Sequence, residues 1–463
     1  MVQQPPPMVI MLMSSTPDLI VSPKQRQEIR GWALLALTAL ALAGLLALLL
    51  VLSRVPAVSD WLPWGNSFFY RALITHVVLS VDIWFLACLG LLSAMVAGGR
   101  RGAVLGWVGL VLSFLGMVLL LSPALADQGE PSLNNYVPVL NHPLFSVGLL
   151  FFALGIALAC LRLWPFLRPS SAPFAFGVAC AGAIYLMACL CFAMAYVLIP
   201  SSTDSAMANE RLFWGGGHVL QLLNTMLLLL IWQDLAQRLW GPTSLPVDLV
   251  RAAYLLLLAF ALGAPLLYLR FDVLSLAHRH AFTALLWYGL PLPCLAMGFG
   301  VARCLWQARP LDWRSPAILS LFLSLAVFAI GGLAGFFLGI ADTRTPSHYH
   351  AVIGGVNLGL MGLFLVRILP LLGRPIQKVR LMTRALHLYG WGQLLHALGF
   401  FLAGAAGVPR KTAGLAQGLD SLWKEVAMGV VGLGGAIAVL GGVLFVWLIL
   451  ARLLSRTACY EPD

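Results

Sequence analysis

The chain has 463 residues, 61% of them hydrophobic and only 10% charged, against about 25% charged in ordinary soluble domains. That balance excludes a water-soluble globular protein. The net charge of +11 is spread through loops between apolar runs, so it gives no reason to invoke nucleic acid.

Apolar runs of 20 or more residues recur along nearly the whole sequence, each able to cross a hydrocarbon layer about 30 Å thick. In lipid such runs must be helical, because every backbone group has to be satisfied internally. The expected fold class is all-α, a polytopic membrane protein of about twelve transmembrane helices. Residues 1–30, Pro-rich at the start and without a cleavable signal pattern, read as a cytoplasmic tail. Spans are expected near 32–53, 70–97, 103–124, 144–165, 174–199, 213–237, 248–270, 281–303, 315–340, 347–372, 385–405 and 426–452. Together they form one membrane domain over 31–453, followed by a cytoplasmic tail over 454–463.

Lys and Arg set the orientation. Alternate ends of the spans form two sets. One holds only Arg54, Arg71, Arg211, Arg270, Arg279, Arg344, Arg410, Lys411 and Lys424; the other 19 of the 28 basic residues, including Arg100, Arg101 and Arg456, lie with the termini. Both termini are therefore expected in the cytoplasm. The eight cysteines, among them Cys459, mostly fall inside spans and none is spaced as CxxC, which argues against a disulfide framework or a zinc site.

The histidines are the informative residues. His76 falls early in span 2 and His218 early in span 6. His278 and His280 follow span 7, and His348 and His350 open span 10. By the expected topology these six share one depth, toward the outer side. Polar groups at membrane depth are costly and point to function, and imidazole is the commonest metal ligand. His348 and His350 are two residues apart, so on a helix they project about 200° apart. They cannot chelate one metal, but each can hold a metal on its own face. His350 with His76 can fill both axial positions of one haem. His348 can hold a second haem with an open face for a gas. His218 with His278 and His280 can supply a non-haem metal opposite that face.

In this pattern the sequence resembles the catalytic subunit I of the haem–copper oxidase superfamily. The resemblance rests on His76, Trp214-Gly-Gly-Gly-His218, His278-Arg279-His280-Ala281-Phe282-Thr283, Ser347-His348-Tyr349-His350 and Gly407-Val408-Pro409-Arg410-Lys411 in a twelve-span layout. It implies a low-spin haem on His76 and His350 and a high-spin haem on His348. It implies a non-haem metal, copper or iron, on His218 and His280, with His278 as a possible third ligand. Arg410 and Lys411 match the basic pair that neutralises haem propionates.

Three departures bear on the substrate. Arg279-His280 stands where the family has two adjacent histidines. Leu222 stands where many O₂-reducing members carry a tyrosine four residues after the span 6 histidine, and Tyr268 is ten residues before His278, too far to match the tyrosine of another branch. The glutamate usual near the metal of nitric oxide reductases is also missing; Gln221 and Asn224, three and six residues after His218, are the nearest polar substitutes. Asp82 is the one acid deep in a span and is a candidate for proton delivery. His142, His387 and His396 read as structural.

The favoured reading is a nitric oxide reductase-like catalytic subunit, with a divergent O₂-reducing cytochrome c oxidase subunit as the alternative. A twelve-helix transporter is the remote third, since histidines gathered near one side do not make the midplane site of a repeat-built transporter. Without a CxxCH motif or a copper domain, electrons are expected from a periplasmic cytochrome c or cupredoxin-type partner subunit. The implied setting is a bacterial-type inner membrane, with the metal centres toward its outer side.

Overall fold

The computed structural model describes residues 21–53, 66–99 and 102–455. The expected tails lie mostly outside these, as do Arg54, Arg100, Arg101, Arg456 and Cys459. We number the long helices α1 Pro23–Leu52, α2 Phe68–Ala97, α3 Ala103–Leu125, α4 Pro143–Leu161, α5 Pro173–Leu198 and α6 Ser205–Trp240. They continue with α7 Val247–Arg270, α8 Leu276–Gln307, α9 Pro316–Phe337 and α10 Arg344–Leu371, then α11 Val379–Ala405 and α12 Leu422–Leu454. Among the described residues, eleven are long and apolar enough to cross a membrane. The remaining one, α11, is as long, but its first turns carry Arg380, Arg384 and His387. The fold is all-α, as composition required.

Helix α1 begins well before its expected span. Ser22 caps it by accepting from Gln25 N, and Pro23 occupies the first turn, where its missing N–H costs nothing. Its polar residues are then buried in pairs. Gln25 Nε2 donates to the carbonyls of Ala94 and Met95 at 2.9 and 3.1 Å, and Glu28 meets Arg162 at 2.7 Å with both side chains almost fully enclosed. A hydropathy reading ends where polar residues begin, so it missed these turns.

Three helices sit in the middle of the bundle. α2, α6 and α10 are largely enclosed by their neighbours, while α3, α7 and α8 each expose an apolar face. The enclosed helices are the ones that carry His76, His218, His348 and His350. Two of them contain a π-turn, Val78–Ile83 in α2 and Phe364–Ile368 in α10, a local overwidening that recurs at functional sites. Between α3 and α4 a short hairpin, β1 Glu130–Ser132 and β2 Val139–Asn141, pairs antiparallel with Glu130 opposite Asn141. It lies over the end of the bundle where α6 begins.

Candidate haem site and the cavity around it

A cavity of about 1580 Å³ runs through the bundle, larger than the roughly 300–1,000 Å³ of a site for one drug-sized ligand. His76, His218, His348 and His350 all line it, as do Gln221, Asn224, Arg279, Arg410 and Lys411. Two further residues line it that the sequence reading did not select: Tyr136 of the hairpin and His396 of α11.

Four of the cavity histidines are held in one way. Nδ1 of His76 lies 2.9 Å from the Ala43 carbonyl, Nδ1 of His218 2.6 Å from Trp214 O, Nδ1 of His348 2.7 Å from Gly331 O, and Nδ1 of His396 2.7 Å from Val431 O. A carbonyl only accepts, so each Nδ1 carries the proton and each Nε2 keeps its lone pair. This is how ligating histidines are oriented: a hydrogen bond to one ring nitrogen fixes the tautomer and frees the other for a metal. His350 stacks on Phe400 and meets the His396 ring edge-on, with centroids 4.7 Å apart. Gly335 makes room for His348, since a Cβ there would touch the imidazole at 3.0 Å.

The start of α6 explains its glycine triplet. A Cβ on Gly215 would strike the Tyr268 hydroxyl, one on Gly216 the Phe192 ring, and one on Gly217 Cβ of Tyr136. Three aromatic side chains therefore approach the α6 backbone just before His218. Tyr136 holds φ of 66°, a left-handed conformation uncommon for a tyrosine. The loop is tied on both sides: the Asn135 backbone and side chain donate to the two oxygens of Glu210 at 2.8 and 2.7 Å, and Lys411 Nζ donates to the Leu133 carbonyl. Because Nδ1 of His218 is the donor to Trp214, Nε2 accepts, and the Tyr136 hydroxyl donates to it at 2.9 Å.

The three histidines expected around a non-haem metal are not brought together. Ser275 caps α8 by accepting from His278 N, so His278, Arg279 and His280 all lie within its first helical turns. Two residues apart on a helix, His278 and His280 diverge as His348 and His350 do. His278 is fully buried against Tyr268 and Phe282, with no hydrogen-bond partner on either ring nitrogen. His280 is exposed and lines a shallow outer groove. The cavity-facing residue is Arg279, whose guanidinium stacks 4.4 Å over Trp214. Among the described residues no group of three or more His, Cys, Asp or Glu is placed to hold a metal ion. Asp82 is buried in the π-turn of α2, and the cavity is lined by its neighbours Ser80 and Val81 rather than by Asp82 itself.

The basic pair is positioned by two strand-like segments. Thr343 N donates to Val408 O and Arg410 N to Ala341 O, both at 3.0 Å. The Arg344 side chain grips Asp342 with a 2.8 Å ion pair, and that hydrogen bonding holds the Asp342 carboxyl below its usual range. Burial, aided by neighbouring Arg410, pushes the Lys411 ammonium down to about 8, so an anion beside it would relieve an unfavourable charge. The donor types fit two haems: the imidazoles of His76, His348 and His350 line one cavity, and the cations Arg410 and Lys411, which could meet propionates, line it too. Their placement does not fit a metal on three histidines.

The family profile described as "Cytochrome C and Quinol oxidase polypeptide I" matches residues 29–449, and the chain belongs to that family, the subunit I family of the haem–copper oxidases. Among curated proteins it is 26% identical to the uncharacterized protein RP382 of Rickettsia prowazekii, over 90% of this chain and 94% of that one. It is 25% identical to cytochrome c oxidase subunit 1 of Thermus thermophilus, over 87% and 79%. Among solved structures, a cryo-EM structure of a haem–copper terminal oxidase dimer superposes with a TM-score of 0.75 at 18% identity, covering 96% of this chain and 86% of that one. The protein is thus an integral membrane oxidoreductase of a family that binds haems and a copper or iron centre and works with other subunits and electron donors.

Proposed function

We propose that the chain is the catalytic subunit of a respiratory complex that passes electrons through a low-spin haem on His76 and His350 to a high-spin haem on His348, where a small gas is reduced. The observation that carries this reading is the shared orientation of the cavity histidines, with Nδ1 of His76 and of His348 given to backbone carbonyls. A haem held by two imidazoles would supply electron transfer, and one held by the single imidazole of His348 would supply gas binding. Arg410 and Lys411 hold the propionates. Electrons enter from a periplasmic cytochrome c or cupredoxin-type partner, and both termini lie in the cytoplasm of a bacterial-type inner membrane.

The substrate is NO, converted as 2 NO + 2 e⁻ + 2 H⁺ to N₂O and H₂O. Gln221 and Asn224 line the cavity beyond His218, and the buried residue four positions after it is Leu222 rather than a tyrosine. One observation favours O₂ instead: the Tyr136 hydroxyl reaches His218 from the hairpin, and a phenol beside the gas is what O–O cleavage would use. Separate measurement of NO and O₂ consumption, with one electron donor and the purified complex, decides between them. Rapid NO turnover with little O₂ uptake is expected; fast O₂ uptake transfers the assignment to the oxidase reading.

A further inference from the structure

We propose that this chain holds no third metal at His218, and that the Tyr136 hydroxyl and the Arg279 guanidinium take its place as the groups facing gas bound at His348.

Four observations converge on this. Nε2 of His218, the nitrogen a metal would need, accepts the Tyr136 hydroxyl at 2.9 Å, while Nδ1 is committed to Trp214 O. Tyr136 is not a loosely placed loop residue: its Cβ fills the space left by Gly217, and its loop is pinned to Glu210 and Lys411. Of His278, Arg279 and His280, the residue that lines the cavity is the cation Arg279, stacked on the same Trp214 whose carbonyl orients His218. A fixed guanidinium beside an imidazole repels a divalent ion, and the repulsion is large where water is excluded. Finally, neither neighbouring histidine lines the cavity: the His278 ring is enclosed between Tyr268 and Phe282, and His280 faces the outer groove. One imidazole is a poor metal site, since catalytic centres of this kind use about three protein ligands.

What replaces the metal is chemically coherent. A tyrosine hydroxyl and a guanidinium are both hydrogen-bond donors, and both line the cavity that His348 lines. They can hold and polarise a diatomic ligand with no metal on the far side. The assignment rests on the haem at His348, so its test must separate the two ideas.

The experiment compares the purified complex with its His218→Ala variant. Total iron and copper are measured, haem iron is subtracted, and the remainder is the non-haem metal. Metal held by partner subunits is common to both samples. The expected result is no difference; a deficit of one equivalent in the variant overturns the proposal. Haem content is read from the same samples by pyridine haemochrome, and fewer than two non-covalent haems per chain would defeat the haem reading while leaving the metal comparison intact. Tyr136→Phe gives a second readout that survives failure of the first variant to fold. Removing the hydroxyl is expected to shift the infrared C–O stretch of the carbon monoxide adduct, and an unchanged stretch would overturn the role of Tyr136.

Discussion

His348 donates from Nδ1 to the carbonyl oxygen of Gly331 at 2.7 Å, and that carbonyl belongs to the neighbouring helix α9. The ring direction is therefore set by a contact between helices rather than by α10 alone. Gly331 serves a second purpose, since a Cβ there would collide with the backbone of Val352 where α9 and α10 touch. The same arrangement between α1 and α2 orients His76 through Ala43. Helix packing and imidazole direction are thus one structural feature in these two contacts.

Removal of single histidines should give separable spectra. His348→Ala is expected to abolish carbon monoxide binding while leaving a six-coordinate, bis-histidine haem spectrum. His76→Ala is expected to do the reverse, losing the low-spin signal and keeping a haem that binds carbon monoxide. Reduced-minus-oxidised and carbon monoxide difference spectra distinguish these. Loss of both signals in either variant would mean that the two haems do not occupy separate sites.

Gly217→Ala tests the fit of Tyr136 against α6. The added methyl would overlap Cβ of Tyr136, and overpacking of this kind costs about 1–3 kcal/mol. The hairpin should yield before the helix does, so the hydrogen bond from Tyr136 to His218 is expected to break. Thermal stability should fall modestly, and the carbon monoxide stretch should move as it does in Tyr136→Phe. A variant with unchanged stretch and unchanged stability would show that the loop is not seated on Gly217.

Lys411 gives a pH dependence with a definite sign. Its ammonium is lowered from 10.5 to about 8, first by burial and then by Arg410. In the unliganded protein the charge is lost as pH rises through about 8, while an unfolded lysine keeps it to near 10.5. The unfolded state binds more protons in that window, so this group makes the unliganded fold more stable with rising pH between about 8 and 10.5. Haem affinity should move the opposite way, because propionate binding requires the charged form. Transfer of haem to a soluble scavenger is expected to speed up as pH rises from about 7 to 10. Lys411→Gln should release haem faster at neutral pH with a flatter profile.

How far the site could be read from sequence depended on what positioned each residue. His76, His218, His348 and His350 stood out because a polar group at membrane depth demands a reason, and all four line the cavity. The divergence of His348 and His350 followed from helical geometry alone. The same geometry applied to His278 and His280, but only once the helix was known to start at Leu276. That start was set by the Ser275 cap, which a hydropathy window does not register. Tyr136 lay in a loop with no periodicity, and its approach to His218 depends on a left-handed backbone and on Gly217 far along the chain. The one available clue was the glycine triplet before His218, which signals close approach without naming what approaches. His396 carries the same membrane-depth signal as the other cavity histidines but reads as structural from sequence; the cavity it lines and its contact with His350 depend on how α11 packs against α10.

At the opposite end of α6, Asp234 should be among the costliest residues to replace. It is ion-paired to Arg367 of α10 and, at 3.2 Å, to Arg238 one turn along its own helix, and both Asp234 and Arg367 are more than nine-tenths buried. Arg367 also lies 4.0 Å over the Phe174 ring of α5, so the cluster ties three helices together. Breaking one partner of a buried pair leaves an uncompensated charge and costs about 3–5 kcal/mol. Asp234→Ala is therefore expected to lose yield and thermal stability severely. The double variant Asp234→Ala with Arg367→Met should recover much of that loss, because no unpaired charge remains at α10. Recovery without restored gas turnover would show that the cluster also serves the reaction, whereas recovery of both would assign it to holding α6 and α10 in register. Equal damage in the single and double variants would refute the uncompensated-charge account and place the cost in lost packing instead.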